Sequence, residues 1–196
     1  MLDEMTYRAL RSRLVDEGYA HDIEWSESAQ PVSDPLAFWR EYSWVVLNSG
    51  MKNTVATGIW RKVQPTVEAG GSASQVFGHV GKSAGIDRVY RDRVQLLGEY
   101  IAATDKLDYL RSLPWIGPIT CYHLAKNFGL DCAKPDRHLV RIAGAEGTHA
   151  LCARLAAVTG DRIATVDYVI WRAASLGWVH SGDRLGRSNN AQSDVL

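Results

Sequence analysis

Three cysteines, Cys121, Cys132 and Cys152, are all that this 196-residue chain carries. They are too few and too scattered for a disulfide framework, and they cannot supply the four thiolates of an iron–sulfur cluster. Buried thiols are the expectation. No apolar run approaches the roughly 20 residues that a membrane-spanning helix needs. The N-terminus, Met1-Leu-Asp-Glu-Met-Thr6, has acids where a secretory signal requires bases followed by an apolar core, which predicts a cytosolic or nucleoid location. Neither sign of charge is in excess, with 22 Lys and Arg against 22 Asp and Glu, so the chain is not a uniformly basic nucleic-acid binder. No alternation of apolar and polar residues demands a sheet, and nothing repeats at a fixed period.

What is present is a packed helical pattern. A hydrophobic fraction of 46% is ordinary for a globular protein, and the length fits one domain or two closely merged lobes. Residues 6–18 carry Tyr7, Leu10 and Leu14 at helical spacing and stop at Gly18. Residues 21–32 are polar, with Trp25 and Pro31, and read as a loop. Ser33-Asp34-Pro35 opens a helix with a cap and a first-turn proline. That helix passes through Phe38, Trp39, Tyr42, Val45 and Val46 to about Asn48, where Gly50 breaks it. A helix over 53–63 is expected to stop near Pro65, and a short one over 72–80 could end at Gly81. Residues 86–103 present Ile86, Val89, Tyr90, Val94, Leu97 and Ile101 on one face. Further helices are expected at 107–112, 119–128, 136–143, 148–159 and 161–176, the last two beginning on capping residues and each followed by glycine. The tail 181–196 is polar and expected to be mobile. An all-α fold of about ten helices follows.

Bases cluster despite the neutral total. Lys52, Arg61 and Lys62 form one group, Arg88, Arg91 and Arg93 another, and Lys126, Lys134, Arg137, His138 and Arg141 a third. Charge gathered on one face can hold phosphate, although solvated helix faces give the same pattern.

The densest signal is Leu113-Pro-Trp-Ile-Gly-Pro-Ile-Thr-Cys-Tyr122 followed by Lys134-Pro-Asp-Arg-His-Leu-Val-Arg-Ile142. The first stretch reads as helix, tight hairpin, helix. Gly117 and its neighbours let the backbone approach a phosphate, and the free amides and positive dipole end of the next helix face the same anion. An ordinary bend between two helices would look the same. Asp136 follows Gly117 by 19 residues and stands at the start of the next helix, where aspartate is a common cap. A capping carboxylate is also a rigid one, suited to stabilising positive charge on a deoxyribose ring or orienting a water.

These residues resemble the helix-hairpin-helix DNA glycosylase superfamily of base-excision repair. Its usual form is Leu-Pro-Gly-(Val/Ile)-Gly and then, one helix and one loop later, Asp-x-His-(Val/Ile)-x-Arg. The match here is Leu113, Pro114, Ile116 and Gly117, then Asp136, His138, Leu139, Arg141 and Ile142. Upstream, Val46-Leu47-Asn48-Ser49-Gly50 at a helix end, with Val55-Ala56 in the next helix, is similar to the segment with which the family meets DNA. The resemblance covers roughly 36–143.

It implies two merged helical lobes, 36–143 and 1–35 with 144–196, with a DNA cleft between them. It implies Asp136 as the catalytic carboxylate. It implies DNA contacts from Trp115, Ile116, Gly117, Ile119, Thr120 and His138 and from Asn48, Ser49, Gly50, Met51 and Lys52, with Asn48 or Met51 filling the gap left by a flipped base. Bifunctional members carry a lysine where this chain has Ile119, and isoleucine forms no Schiff base, so a monofunctional enzyme leaving an abasic site is implied. Trp115 replaces the first hairpin glycine; because tryptophan favours ordinary backbone angles, a slightly altered turn is expected, with the ring packed or stacked on a nucleotide. The adenine-removing branch has a glutamate near the position of Trp44.

His21-Asp-Ile-Glu-Trp25 is similar to a stretch of the 3-methyladenine glycosylase I branch, whose zinc is held partly by cysteines. No cysteine precedes Cys121 here, so that metal is not carried over. Glu24, Trp25, Trp44 and Tyr122 are the base-pocket candidates. No cofactor is implied, and no metal beyond an alkali ion that the hairpin could hold. The implied partner is double-stranded DNA bearing an alkylated base or a hypermodified one, such as glucosylated hydroxymethylcytosine in phage DNA, with the protein a monomer off the membrane. A DNA-binding module without chemistry is the alternative, and Asp136 discriminates between the two.

Overall fold

A computed structural model describes residues 2–179. Among them every regular element is helical, with ten α-helices and no strand, as the apolar periodicity requires. The tail 181–196, expected to be mobile, lies outside the described residues.

The chain forms two compact units, Ser28–Lys134 and Met1–Glu27 with Pro135–Leu196. The boundaries differ from the expected 36–143 for physical reasons. Residues 28–34 belong with the central unit because Val32 N–H donates to the Phe128 carbonyl at 3.2 Å. Gly129, at φ +82°, lies so close to Gln30 and Pro31 that a Cβ would collide with their backbone. The helix that follows Asp136 belongs with the terminal unit, because it packs on the two helices after it and buries Leu139 completely.

In the central unit, α3 (Pro35–Asn48) is the hub. Asp34 caps it, accepting from Ala37 N–H at 2.6 Å, and Phe38, Trp39, Tyr42, Val45 and Val46 have no exposure. It packs against α4 (Asn53–Glu68), α5 (Val80–Ala102) and α7 (Thr120–Asn127); α6 (Lys106–Ser112) packs on α5 and α7. Phe38 stacks on Phe128 at 4.8 Å between ring centres. Trp39 meets Tyr90 edge-on at 4.9 Å and donates its indole N–H to the Ile86 carbonyl at 3.1 Å, so its polar atom is satisfied inside the core.

Four expectations for this unit are corrected. The helix expected to stop near Pro65 runs on to Glu68. Val63 and Val67 are buried on either side of the proline, and Arg40 grips Glu68 through both carboxylate oxygens at 2.8 and 3.0 Å. The helix expected over 72–80 is a single 3-10 turn, Ala73–Gln75, and α5 begins at Val80, six residues before Ile86. His79 supplies its cap, accepting from Lys82 N–H at 3.3 Å, and Gly81 and Gly85 lie inside the helix. On α5 the buried face is Ile86, Val89, Leu97 and Tyr100, while Val94 and Ile101 are exposed.

In the terminal unit, α1 (Glu4–Leu14) leads through a π-helical turn, Val15–Tyr19, into α2 (Ala20–Ser28). The stretch expected to be a loop from 21 is thus mostly helix; α2 buries only Ile23 and Ser26, which is why no apolar stripe announces it. Gly18, at φ +90°, makes the kink. The unit is completed by α8 (Arg137–Ala143), α9 (Thr148–Thr159) and α10 (Ile163–Ser175). The expected side-chain caps on the last two are absent: Gly147 precedes α9 and Arg162 precedes α10. Asp161 instead accepts from the Tyr7 hydroxyl at 2.5 Å, tying α1 to the loop before α10. The Arg172 guanidinium lies over the rings of Tyr19 and Trp171, 4.8 Å from each.

Candidate functional site

The hairpin between α6 and α7 is built around one unusual residue. Trp115 has φ +63°, the only non-glycine residue among those described with positive φ. The expectation that tryptophan would keep ordinary angles is corrected. The residue adopts the left-handed geometry that favours glycine, at a cost of about 1–2 kcal/mol. Packing holds it. The indole lies over α5 where Gly81 and Gly85 have no side chains, and a Cβ on Gly85 would stand 3.2 Å from ring atom Cδ1. The His79 ring meets the indole edge-on at 5.0 Å, and the Tyr42 hydroxyl donates to the Pro114 carbonyl at 2.8 Å. Half of Trp115 remains exposed.

The hairpin amides are divided between internal and open roles. Ile116 N–H donates to the Leu113 carbonyl at 3.2 Å, and Gly117 N–H to Thr120 Oγ1 at 2.6 Å. These two, expected to face a phosphate, are used inside the turn, and Ile116 itself is buried. Pro118 has no N–H. The amide of Ile119, the residue before α7, and that of Thr120, its first residue, donate to no described group, as the first amides of a helix do. The Ile119 side chain is exposed and carries no amine.

The 48–52 turn lies at the end of α3. Asn48 closes the helix, Gly50 turns the chain at φ +76°, Met51 packs partly against the core, and Lys52 is exposed ahead of α4. The Ser49 carbonyl accepts from the Lys82 ammonium at 2.6 Å. Lys82 is 7% exposed, and burial pulls its pKa below the ordinary lysine value. Sequence reasoning missed this residue because it lies among glycines that read as a turn. The first turn of α5 therefore gathers two of the expected contact segments, the 48–52 turn through Lys82 and the hairpin through Gly81 and His79.

Other candidates fall elsewhere. Trp44 and Tyr122 are partly buried against the core of the central unit. Glu24 and Trp25 are exposed side chains of α2, in the terminal unit. His123 on α7, also missed, is brought down to a pKa of about 3 by burial, with Lys134 and Lys126 adding to the effect. Burial raises the pKa of Glu41, opposed by a 2.8 Å hydrogen bond from Asn127.

Asp136 caps α8 as expected. Its Oδ1 accepts from the backbone N–H groups of His138 and Leu139 at 2.8 and 3.0 Å. Both bonds fall on that one oxygen, and Oδ2 accepts none among the described residues. His138 is half-buried, with the Arg137 Nε–H 3.4 Å from its ring nitrogen.

The neutral total separates by unit. Central residues 28–134 hold 12 Lys and Arg against 9 Asp and Glu, and the remainder hold 10 against 13. The hairpin, Lys52 and Lys82 are thus on the positive unit. The three cysteines are buried thiols. Among the described residues no cluster of three or more His, Cys, Asp or Glu could hold a metal ion, and no helix is long and apolar enough to cross a membrane. No family model, curated protein or solved structure matches the chain.

Proposed function

We propose that this chain is a monofunctional DNA N-glycosylase of the helix-hairpin-helix type. It turns a damaged or modified base out of the duplex and hydrolyses its N-glycosidic bond, leaving an abasic site. The observation that carries the reading is the carboxylate of Asp136. It is fixed through one oxygen by two backbone amides while the other oxygen is left for chemistry, and it belongs to an Asp-x-His-x-x-Arg run spaced correctly from a hairpin.

The target base is stacked in the duplex, and extruding it costs a few kcal/mol. The Ile119 and Thr120 amides and Lys52 hold the backbone, contacts that position DNA without reading its sequence. When the glycosidic bond breaks, the base leaves with the electron pair and positive charge builds at the anomeric carbon. The free oxygen of Asp136 stabilises that charge and accepts a proton from the attacking water. Fixed charge aimed at developing charge is commonly the largest catalytic contribution. With isoleucine at 119, no covalent amine intermediate forms at the hairpin, so strand breaks follow only on alkali or heat. Action on intracellular or phage DNA, as a monomer at the nucleoid, accompanies this reading.

The test is incubation with a panel of duplexes carrying alkylated, deaminated and glucosylated bases, with free base detected by mass spectrometry. The parent protein releases one class of base and Asp136→Asn releases none, while both bind abasic-site DNA. Equal release by parent and mutant, or borohydride trapping of a protein–DNA adduct, overturns the monofunctional mechanism. Duplex binding with no base released from any substrate favours the module without chemistry.

A further inference from the structure

Lys82 is a buried charged residue that the proposed mechanism leaves unused. It lies on the first turn of α5, is 7% exposed, and donates to the Ser49 carbonyl at 2.6 Å. No carboxylate among the described residues pairs with it. Its contact with Ser49 is part-buried, so the ammonium keeps only part of its hydration, and one neutral carbonyl offsets only part of what is lost. An apolar side chain of the same length would fill the space without the penalty, so packing alone does not account for a lysine here. The surroundings show where a compensating anion can come from. Ser49 is half-buried, Gly50 beside it and His79 one turn back are exposed, and Trp115 lies against the neighbouring Gly81.

We infer that Lys82 is a positioning residue for duplex DNA, its ammonium pinning the 49–52 turn to α5 and supplying there the positive charge that a backbone phosphodiester neutralises. The inference rests on the DNA-binding part of the proposed function and not on base release. It adds to Lys52 a phosphate contact that lies on a different helix.

The experiment uses the full chain with Lys82→Gln, which keeps a hydrogen-bond donor for Ser49, Lys82→Met, which keeps only the stem, and Lys82→Arg, which keeps the charge. Affinity for a labelled duplex containing a tetrahydrofuran abasic-site analogue is measured by anisotropy across a salt series, with thermal melting in parallel. Loss of one phosphate contact flattens the slope of log K against log salt by about 0.9 and weakens low-salt binding by roughly three- to ten-fold. We expect that change in the Gln and Met variants with melting unchanged or raised, and recovery of the slope in the Arg variant. Parental slopes in variants that fold, or failure of both neutral variants to fold, overturn the inference while leaving base release standing. Absence of duplex binding by the parent overturns the inference and the proposed function together.

Discussion

The indole of Trp115 lies against the bare Cα of Gly81, so closely that a Cβ on Gly81 would collide with ring atom Cζ2. A residue held in a left-handed conformation against its preference is thus seated on a helix position that carries no side chain. The hairpin and the start of α5 specify each other. Gly81→Ala should cost about 1–3 kcal/mol, the range for overfilling a packed contact, read by urea denaturation. Trp115→Ala in the same background should relieve most of that cost, since the ring is what the methyl group strikes.

The strain at Trp115 can be measured separately from its packing. Trp115→Ala and Trp115→Gly both remove the ring, but only glycine adopts φ +63° freely. Trp115→Gly should therefore be more stable than Trp115→Ala by about 1 kcal/mol. Equal denaturation midpoints for the two variants would show that the turn relaxes once the ring is gone.

Tyr42 tethers the other side of the hairpin. Its hydroxyl donates to the Pro114 carbonyl at 2.8 Å from a side chain with no exposure. Tyr42→Phe preserves the packing and leaves that carbonyl unpaired, so a loss of about 1–2 kcal/mol is expected. A shifted emission of Trp115, the neighbouring residue, would accompany it.

Stability should fall in mild acid because of His123. Its folded pKa is about 3, below the ordinary 6.5, because burial and Lys134 and Lys126 disfavour the charged ring. As pH falls below about 6.5 the unfolded chain takes up this proton and the folded chain does not, so the contribution is whole above 6.5 and shrinks towards 3. The slope from this group is at most about 1.4 kcal/mol per pH unit. His123→Gln should flatten the stability profile in that window, as read by denaturation at a series of pH values.

The elements legible in the sequence are those whose local chemistry and burial agree. α3 has a cap, a first-turn proline and apolar residues around its circumference, and it stands where its pattern puts it. α2 buries two residues, so nothing in its composition separated it from a loop. α5 hid its first six residues because Gly81 and Gly85, which ordinarily weaken a helix, are there to admit the Trp115 ring. The same packing explains why the backbone angle at Trp115 departs from the expectation: a requirement set by a partner distant in sequence cannot be read from either partner alone. Lys82 and His123 were invisible for a related reason, since burial of a polar side chain is a property of the packed unit. Asp136 was legible because a cap depends only on its own first turn.

That local character also separates the cap that Asp136 forms from the catalytic role proposed for it. As a cap it needs an oxygen acceptor for the His138 and Leu139 amides, and asparagine supplies one. As the group that stabilises a cationic sugar it needs a charge, which asparagine lacks. Asp136→Asn should therefore melt within about 0.5 kcal/mol of the parent, whereas Asp136→Ala should lose about 1 kcal/mol with the cap. Base release should vanish equally in both. If activity instead follows stability, falling with Ala and surviving with Asn, then the residue matters as the start of a helix and the chemistry belongs to another group.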